Sequence, residues 1–331
     1  MTAIHLAPLH VPFARRRQTW AIATWLSFPF VSIVAFLLIL VWPRLTLLAL
    51  GYVVFILVDK SPFHGGRPSQ WVRRLAFWRW LRDYFPVELV ATTQLDPKKN
   101  YLFGYHPHGI VSIGAVTNFG TEANEFSKLF PGISLRLLTL NLHFFIPFWR
   151  DLLLSLGVAS VGKGCIDNIL SKGPGSSCMI VVGGSAEVFL AVPGTYDLVL
   201  SGRYGFVRVA LKNGASLVPV FSFGENDCWD QVQKPKGTFV RFVQDAFKKL
   251  SQLTVPVANG RGFFNYDIGL LPRRRRIVSI VGAPIDCPKT PSPSEELVHE
   301  YHQKYIEGLK ALYEQYKDQY APDRKKEFTV I

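Results

Sequence analysis

The most continuous apolar stretch in the chain runs from Trp20 to Trp42, with Thr24, Ser27 and Ser32 as its polar positions and Pro29 inside it. As a helix it is long enough to cross a bilayer core of about 30 Å. Pro43-Arg44 interrupts it, and a second apolar run, Leu45 to Val58, follows before Asp59-Lys60. The second run is short for a full crossing, so the pair predicts two tilted spans or a re-entrant hairpin. Arg15-Arg16-Arg17 precede the first run, and Lys60, Arg67, Arg73 and Arg74 follow the second. The excess of basic residues at both ends places both termini on the cytosolic side. A cleaved signal peptide does not fit, because the stretch is too long, lacks a small-residue cleavage site and leads straight into more apolar sequence.

After the hairpin, Ser69 to Tyr84 reads as one helix, with Trp71, Leu75 and Trp78 on one stripe and Arg73, Arg74 and Arg79 largely off it. Such a pattern suits an interfacial helix or one packed on the domain surface. From Asn100 onward, β-rich runs alternate with helical ones. Strands are predicted at 101–105, 135–140, 158–161, 179–182, 217–221 and 277–281. Helices are predicted at 111–119, 165–170, 204–213, 239–250 and 294–320. This alternation predicts an α/β fold, a mixed, largely parallel sheet flanked by helices, behind an N-terminal hydrophobic membrane hairpin. Four segments follow: a basic cytosolic N-terminus (1–18), the hairpin (19–59), an interfacial helix and linker (60–99) and the main domain (100–331).

One strand ends in unusual chemistry. Tyr101-Leu-Phe-Gly-Tyr-His106-Pro107-His108-Gly109 is apolar up to a pair of histidines that bracket a proline. Pro107 cannot donate to a ladder and confines His106 to extended geometry, which marks a strand end. Residues two apart in an extended segment share a face, so both imidazoles could look into one site. Gly109 allows a sharp turn or a close approach of substrate to the backbone. A lone buried histidine is ordinarily a core residue; two beside a glycine at a strand end point to chemistry.

The composition is 49% hydrophobic and 14% aromatic with 18% charged residues, which favours lipid contact over a freely soluble enzyme. The formal charge of +13 suits anionic headgroups or a polyanionic small molecule. No nucleic-acid-binding signature is present. Cys165, Cys178, Cys228 and Cys287 are scattered, indicating neither a disulfide framework nor a cysteine zinc site. A metal held by His-x-His lacks a third ligand at a telling spacing, so no metal is expected.

Met179-Ile-Val-Val-Gly183-Gly184-Ser185-Ala-Glu187 takes a buried strand into a glycine turn whose N–H groups could hold an oxyanion. Glu187, just past it, could orient an imidazole or touch substrate. A serine-hydrolase elbow at Ser185 is excluded, since Glu187 stands where a glycine is needed. Gly157-x4-Gly162-Lys163 has phosphate-loop spacing, but Gly164 replaces the required Ser or Thr. Arg203, Arg208 and Lys212 form either a solvated face or a grip for phosphates. Leu137–Trp149, with Phe144, Phe145, Phe148 and Trp149, reads as core, the wall of a lipid tunnel or a membrane-dipping element.

Together, Tyr84-Phe85-Pro86, His106-Pro107-His108-Gly109, Gly183-Gly184 with Glu187, and Arg203-x-Gly205-Phe206-x-Arg208 through Val218-Pro219 and Phe223-Gly224 resemble the type-2 diacylglycerol acyltransferase family, with its monoacylglycerol and wax-ester branches. The flavour is closest to the fungal diacylglycerol enzymes. The resemblance implies a glycerolipid-acyltransferase-like fold and transfer of an acyl group from acyl-CoA to diacylglycerol, acyl-CoA being a substrate and no cofactor being needed. Monoacylglycerol or a long-chain alcohol is the alternative acceptor, and an inert membrane lipid-binding protein the alternative class. It also implies the endoplasmic reticulum membrane and lipid droplets as location, and membrane lipids as partners, with a homo-oligomer left open. Glycerolipid acyltransferases more broadly carry His-x4-Asp; Val111 and Ile113 occupy the corresponding positions here, and Glu187 is the candidate replacement. The expected site is therefore His108 and His106 with Glu187; Gly109, Gly183 and Gly184 at the oxyanion; Arg203, Arg208 and Lys212 for acyl-CoA; and Phe144, Phe145 and Phe148 for the lipid chain.

Overall fold

The computed structural model of the chain describes residues 4–8, 10–231, 244, 254 and 256–331. Helix α1 (Phe13–Leu40) begins seven residues before the apolar stretch, taking in the three arginines. It turns at residues 41–45 into α2 (Thr46–Val58). By length and composition α1 and the segment Thr46–Phe63, which extends α2, can each cross a membrane, and most of their surface is uncovered by protein. The exposed side chains include Phe30, Leu37, Leu47 and Leu57. Apolar surface of that extent makes the protein membrane-associated.

The hairpin is nevertheless seated on the domain. Ala21, Ile22 and Trp25 of α1 are buried, and the Trp25 ring meets Trp78 at 5.5 Å and Trp149 at 4.9 Å. The single helix expected over Ser69–Tyr84 is two: α3 (Gln70–Arg73), capped by the Ser69 hydroxyl, and α4 (Ala76–Tyr84). The break at Arg74-Leu75 separates Trp71, which is 75% exposed, from Trp78, which is buried against α1. Arg73 is buried too, donating to the Leu156 carbonyl and pairing with Glu122 at 3.3 Å.

The domain is built on a seven-stranded sheet in the order β1-β10-β7-β2-β5-β3-β4. Its strands are β1 (Val87–Ala91), β2 (Tyr101–His106), β3 (Ser134–Thr139), β4 (Ala159–Ser160), β5 (Ser176–Val181), β7 (Ser216–Phe223) and β10 (Ile277–Val281). All neighbours run parallel except β10 against β7. The mixed, mostly parallel sheet expected from the sequence is thus present, and each predicted strand is found within a few residues. Absent from the expectation is β1, where Glu88 interrupts a short apolar run directly after the α4 segment. Two-stranded pairings, β6 (Asp197–Leu198) with β11 (Thr329–Val330) and β8 (Asp230–Gln231) with β9 (Ala258–Asn259), flank the sheet.

Every side chain of β2 is buried, because both faces of the sheet are covered. Tyr101, Phe103 and Tyr105 join the cluster beneath α1 and α4; Leu102 joins the opposite one, under α8 (Lys163–Leu170), α9 (Gly205–Asn213) and the C-terminal helix (Glu295–Tyr320). Where a helix was expected over Val111–Phe119, the chain forms only the short α5 (Ile113–Ala115) and a wider turn through Gly120. The segment includes two β-branched valines, Val111 and Val116, and Gly114, which weaken helix propagation. The helix expected at 239–250 lies, apart from Gln244, outside the described residues.

Candidate active site

Strand β2 lies between β5 and β7, so its C-terminal end opens near the middle of the sheet. Tyr105 pairs with Val181 of β5, and His106 with Phe221 of β7. The segments leaving these parallel strands therefore emerge along one edge: His106–Gly109, Gly183–Glu187 and Gly224-Glu225. A crevice at the carboxyl ends of parallel strands is where α/β sheets place their ligands.

His106 is wholly buried, and its Nε2 lies 3.0 Å from the Tyr305 hydroxyl on the C-terminal helix. That hydroxyl also donates to the Gly104 carbonyl at 3.0 Å. A carbonyl only accepts, so the one phenolic proton is committed and Nε2 must carry its own; the tautomer is assigned from these partners. The remaining nitrogen, Nδ1, is buried with no partner among the described residues. Burial pushes this imidazole down to about 3, so it stays neutral. A Cβ at Gly104 would overlap the Tyr305 hydroxyl, which explains a glycine inside a core strand.

His108 has the opposite arrangement. Its Nδ1 donates to the Gly109 carbonyl at 3.0 Å, which leaves Nε2 with the lone pair. The side chain is half-buried, and burial lowers its affinity for a proton while the Gly109 carbonyl opposes that shift. Strand β2 ends at His106, the His106–Pro107 peptide is cis, and the two imidazoles are held by different partners.

Glu187 does not hold an imidazole nitrogen. One carboxylate oxygen accepts the His108 backbone N–H and the other the Val199 N–H, both at 2.9 Å. It ties the turn after β5 to the histidine loop, and a Cβ at Gly183 would occupy its place. Burial raises Glu187 to about 7, against the pull of its two N–H donors. A second buried carboxylate, Glu225, accepts from the N–H groups of Ile113 (2.6 Å) and Gly114 (3.0 Å) and from the Tyr105 hydroxyl (2.8 Å). Gly109, at φ +62°, packs against it; a side chain there would lie 2.7 Å from Glu225 Cγ. Burial drives Glu225 also to about 7, its three donors opposing. The histidine loop is thus clamped between two buried carboxylates.

The description "Diacylglycerol acyltransferase" belongs to the family model that matches residues 37–330. The chain belongs to the diacylglycerol acyltransferase family. It is 46% identical over 333 residues to diacylglycerol O-acyltransferase 2B of Umbelopsis ramanniana, covering 99% of this chain and 95% of that one. Diacylglycerol O-acyltransferase 2 of Dictyostelium discoideum is 47% identical over 320 residues, covering 96% and 97%. 2-Acylglycerol O-acyltransferase 1 of Bos taurus is 43% identical over 326 residues, covering 96% of each.

Of the three cations expected to meet phosphate in this acyltransferase, only Arg203 stands near the histidines, donating to the Gly183 carbonyl at 3.3 Å. Arg208 pairs with Glu295 and Lys212 with Asp167, each at 2.6 Å, on a half-exposed face. Phe144 is buried, whereas Phe145 and Phe148 are partly exposed. Phe148 stacks on Tyr52 at 5.5 Å and meets Phe36 at 6.2 Å, so this segment packs on the hairpin. Sequence reasoning missed Tyr305 and Glu225. Tyr305 lies on the Val298-Tyr305-Leu309-Leu312 stripe, which reads as core; Glu225, a carboxylate directly after the apolar run to Phe223-Gly224, was the available signal.

Proposed function

We propose that this acyltransferase moves a fatty acyl group from acyl-CoA to the free hydroxyl of diacylglycerol, with His108 as general base. The observation that carries the proposal is the fixed Nδ1–H of His108 on the Gly109 carbonyl, which leaves the Nε2 lone pair free of any partner among the described residues. Nε2 takes the proton of the acceptor hydroxyl as its oxygen attacks the thioester carbon. The imidazolium so formed is stabilised through Nδ1–H on Gly109. The tetrahedral oxyanion collapses, the C–S bond breaks, and the departing CoA sulfur takes the proton from Nε2. His106, neutral and locked by Tyr305, shapes the pocket. Glu187 is a positioning residue that holds the His108 backbone, and Gly109 and the Gly183-Gly184 turn are the candidate oxyanion donors.

The named activities of the relatives support the substrates, and the relative acting on 2-acylglycerol supports monoacylglycerol as the second reading. The basic start of α1 supports a cytosolic face of the endoplasmic reticulum membrane, from which lipid droplets are reached. Hydrogen bonds from Ala7 to Phe264 and from Tyr266 to His5 tie the N-terminal segment to the domain, which supports a cytosolic N-terminus. The test is to incubate membranes containing the protein with labelled acyl-CoA and, separately, diacylglycerol, monoacylglycerol and a long-chain alcohol. Triacylglycerol should be the dominant product; a faster rate with monoacylglycerol moves the assignment to the second reading, and no ester with any acceptor overturns it.

A further inference from the structure

A separate cavity of about 900 Å³ lies between the N-terminal segment, the first turns of α1 and the loop before β10. Six arginines line it: Arg15, Arg16, Arg261, Arg273, Arg274 and Arg275. Among the described residues, Arg273 has a carboxylate partner, Asp230, at 2.5 Å. Among the same residues, Arg15 and Arg16 reach only Gln18 and the Val11 carbonyl, and Arg274 reaches Gln18, Thr19 and two carbonyls, all neutral acceptors. Arg275 has no side-chain bond to a carboxylate among the described residues. Crowded cations in a partly buried site repel one another unless an anion joins them.

The backbone sharpens the argument. Helix α1 is 28 residues long, has Pro12 at its N-cap with no side-chain cap, and carries no acidic residue in its first turn. Its dipole and free N–H groups there favour an anion, yet the sequence supplies Arg15, Arg16 and Arg17. Burial and neighbouring arginines push the Arg274 guanidinium down to about 10, a shift that a bound anion would reverse. The walls are built rather than incidental, since Ala7 N–H donates to Phe264, Tyr266 N–H to His5, and His5 N–H to Asp267.

Two more features define the ligand. The rim is apolar and open: Phe264 is 83% exposed, Phe263 54% and Trp20 54%, beside a helix long and apolar enough to cross a membrane. The volume greatly exceeds that of a lone phosphate and suits a nucleotide or a lipid headgroup with part of its chain. The arginine loop also leads directly into the first residue of β10, which pairs next to the C-terminal end of β7. The arginine loop therefore leaves from the same edge of the sheet as the two histidines.

We propose that this cavity binds the phosphoryl group of an acyl-bearing amphiphile at the membrane surface. Two sources share that chemistry, the CoA moiety of the acyl donor and an anionic glycerophospholipid; the first rests on the proposed acyl-CoA reaction, the second does not. The full-length protein and its Arg15→Gln/Arg16→Gln/Arg275→Gln variant are compared in phosphatidylcholine vesicles with and without phosphatidic acid. If the donor is the ligand, the variant raises the KM for long-chain acyl-CoA about tenfold or more, as expected for lost charge-assisted hydrogen bonds, with a smaller change in kcat. If the lipid is the ligand, phosphatidic acid slows amide hydrogen exchange across residues 261–275 in the wild-type protein and not in the variant, with KM unchanged. Exchange measured on the wild type alone, with CoA or phosphatidic acid as probe, guards against a misfolded variant. Protection by neither probe, together with an unchanged KM, overturns the proposal. A wild-type protein that makes no ester removes only the kinetic arm and counts against the proposed reaction; the exchange measurement still decides the cavity.

Discussion

His106 and His108 are two residues apart and carry opposite tautomers, each dictated by a carbonyl. At His106 the Gly104 carbonyl claims the Tyr305 proton, so Nε2 is protonated; at His108 the Gly109 carbonyl claims Nδ1–H. In the 15N spectrum of histidine-labelled protein at neutral pH, assigned with single-histidine variants, His106 should show protonated Nε2 and His108 protonated Nδ1. Tyr305→Phe should perturb the His106 resonances alone. A common tautomer at both residues would contradict the assignment. The histidine pair and its glycine were legible in sequence because a proline and a glycine at a strand end are local signals. What each imidazole touches was not: Tyr305 is 199 residues from His106, and Glu225 is 112 from Ile113. Glu187 was picked out, as a residue to orient an imidazole or touch substrate, and its partners are the main-chain N–H groups of His108 and Val199, which no residue pattern encodes.

Among the elements, β2 was readable because a fully buried strand needs a continuous apolar run, and the parallel sheet followed from the alternation of strands and helices. The break between α3 and α4 was not, since Arg74-Leu75 contains no helix breaker; tertiary contacts of Arg73 and Trp78 decide it. The joint between hairpin and domain rests on a similar long-range contact. Arg150 is fully buried at the start of α7 (Trp149–Ser155), donates to the Phe144 carbonyl at 3.0 Å, and pairs at 2.7 Å with Asp59 at the foot of α2. Removing Arg150 leaves the Asp59 carboxylate with Arg67 at 3.6 Å and the Ser61 hydroxyl, so the cost falls below the ~3–5 kcal/mol of a fully stranded buried charge. Arg150→Ala should therefore lower the thermal midpoint of the detergent-solubilised protein, and adding Asp59→Asn should restore part of the loss. An unchanged midpoint would show that the pair does not hold the hairpin.

For the molecule as a whole, membrane and catalytic parts form one structure. The tryptophans of α1, α4 and α7 interlock, so the hairpin is part of the core and not an appended anchor. Deleting residues 13–58 uncovers Trp78 and Trp149, and the truncated chain should aggregate on size-exclusion chromatography; a monodisperse, active fragment would refute this. The charge of +13 also gains a location, because five arginines with no carboxylate partner among the described residues, Arg15, Arg16, Arg261, Arg274 and Arg275, line one cavity. Composition gave only an excess of positive charge; the fold brings the Arg15 carbonyl to the Arg274 guanidinium at 3.3 Å. The most direct test of the chemistry is the turnover of His108→Ala with acyl-CoA and diacylglycerol, at matched expression and thermal midpoint. Loss of a general base predicts a fall in kcat of about 10²–10⁴-fold, and turnover equal to wild type would contradict His108 as the base.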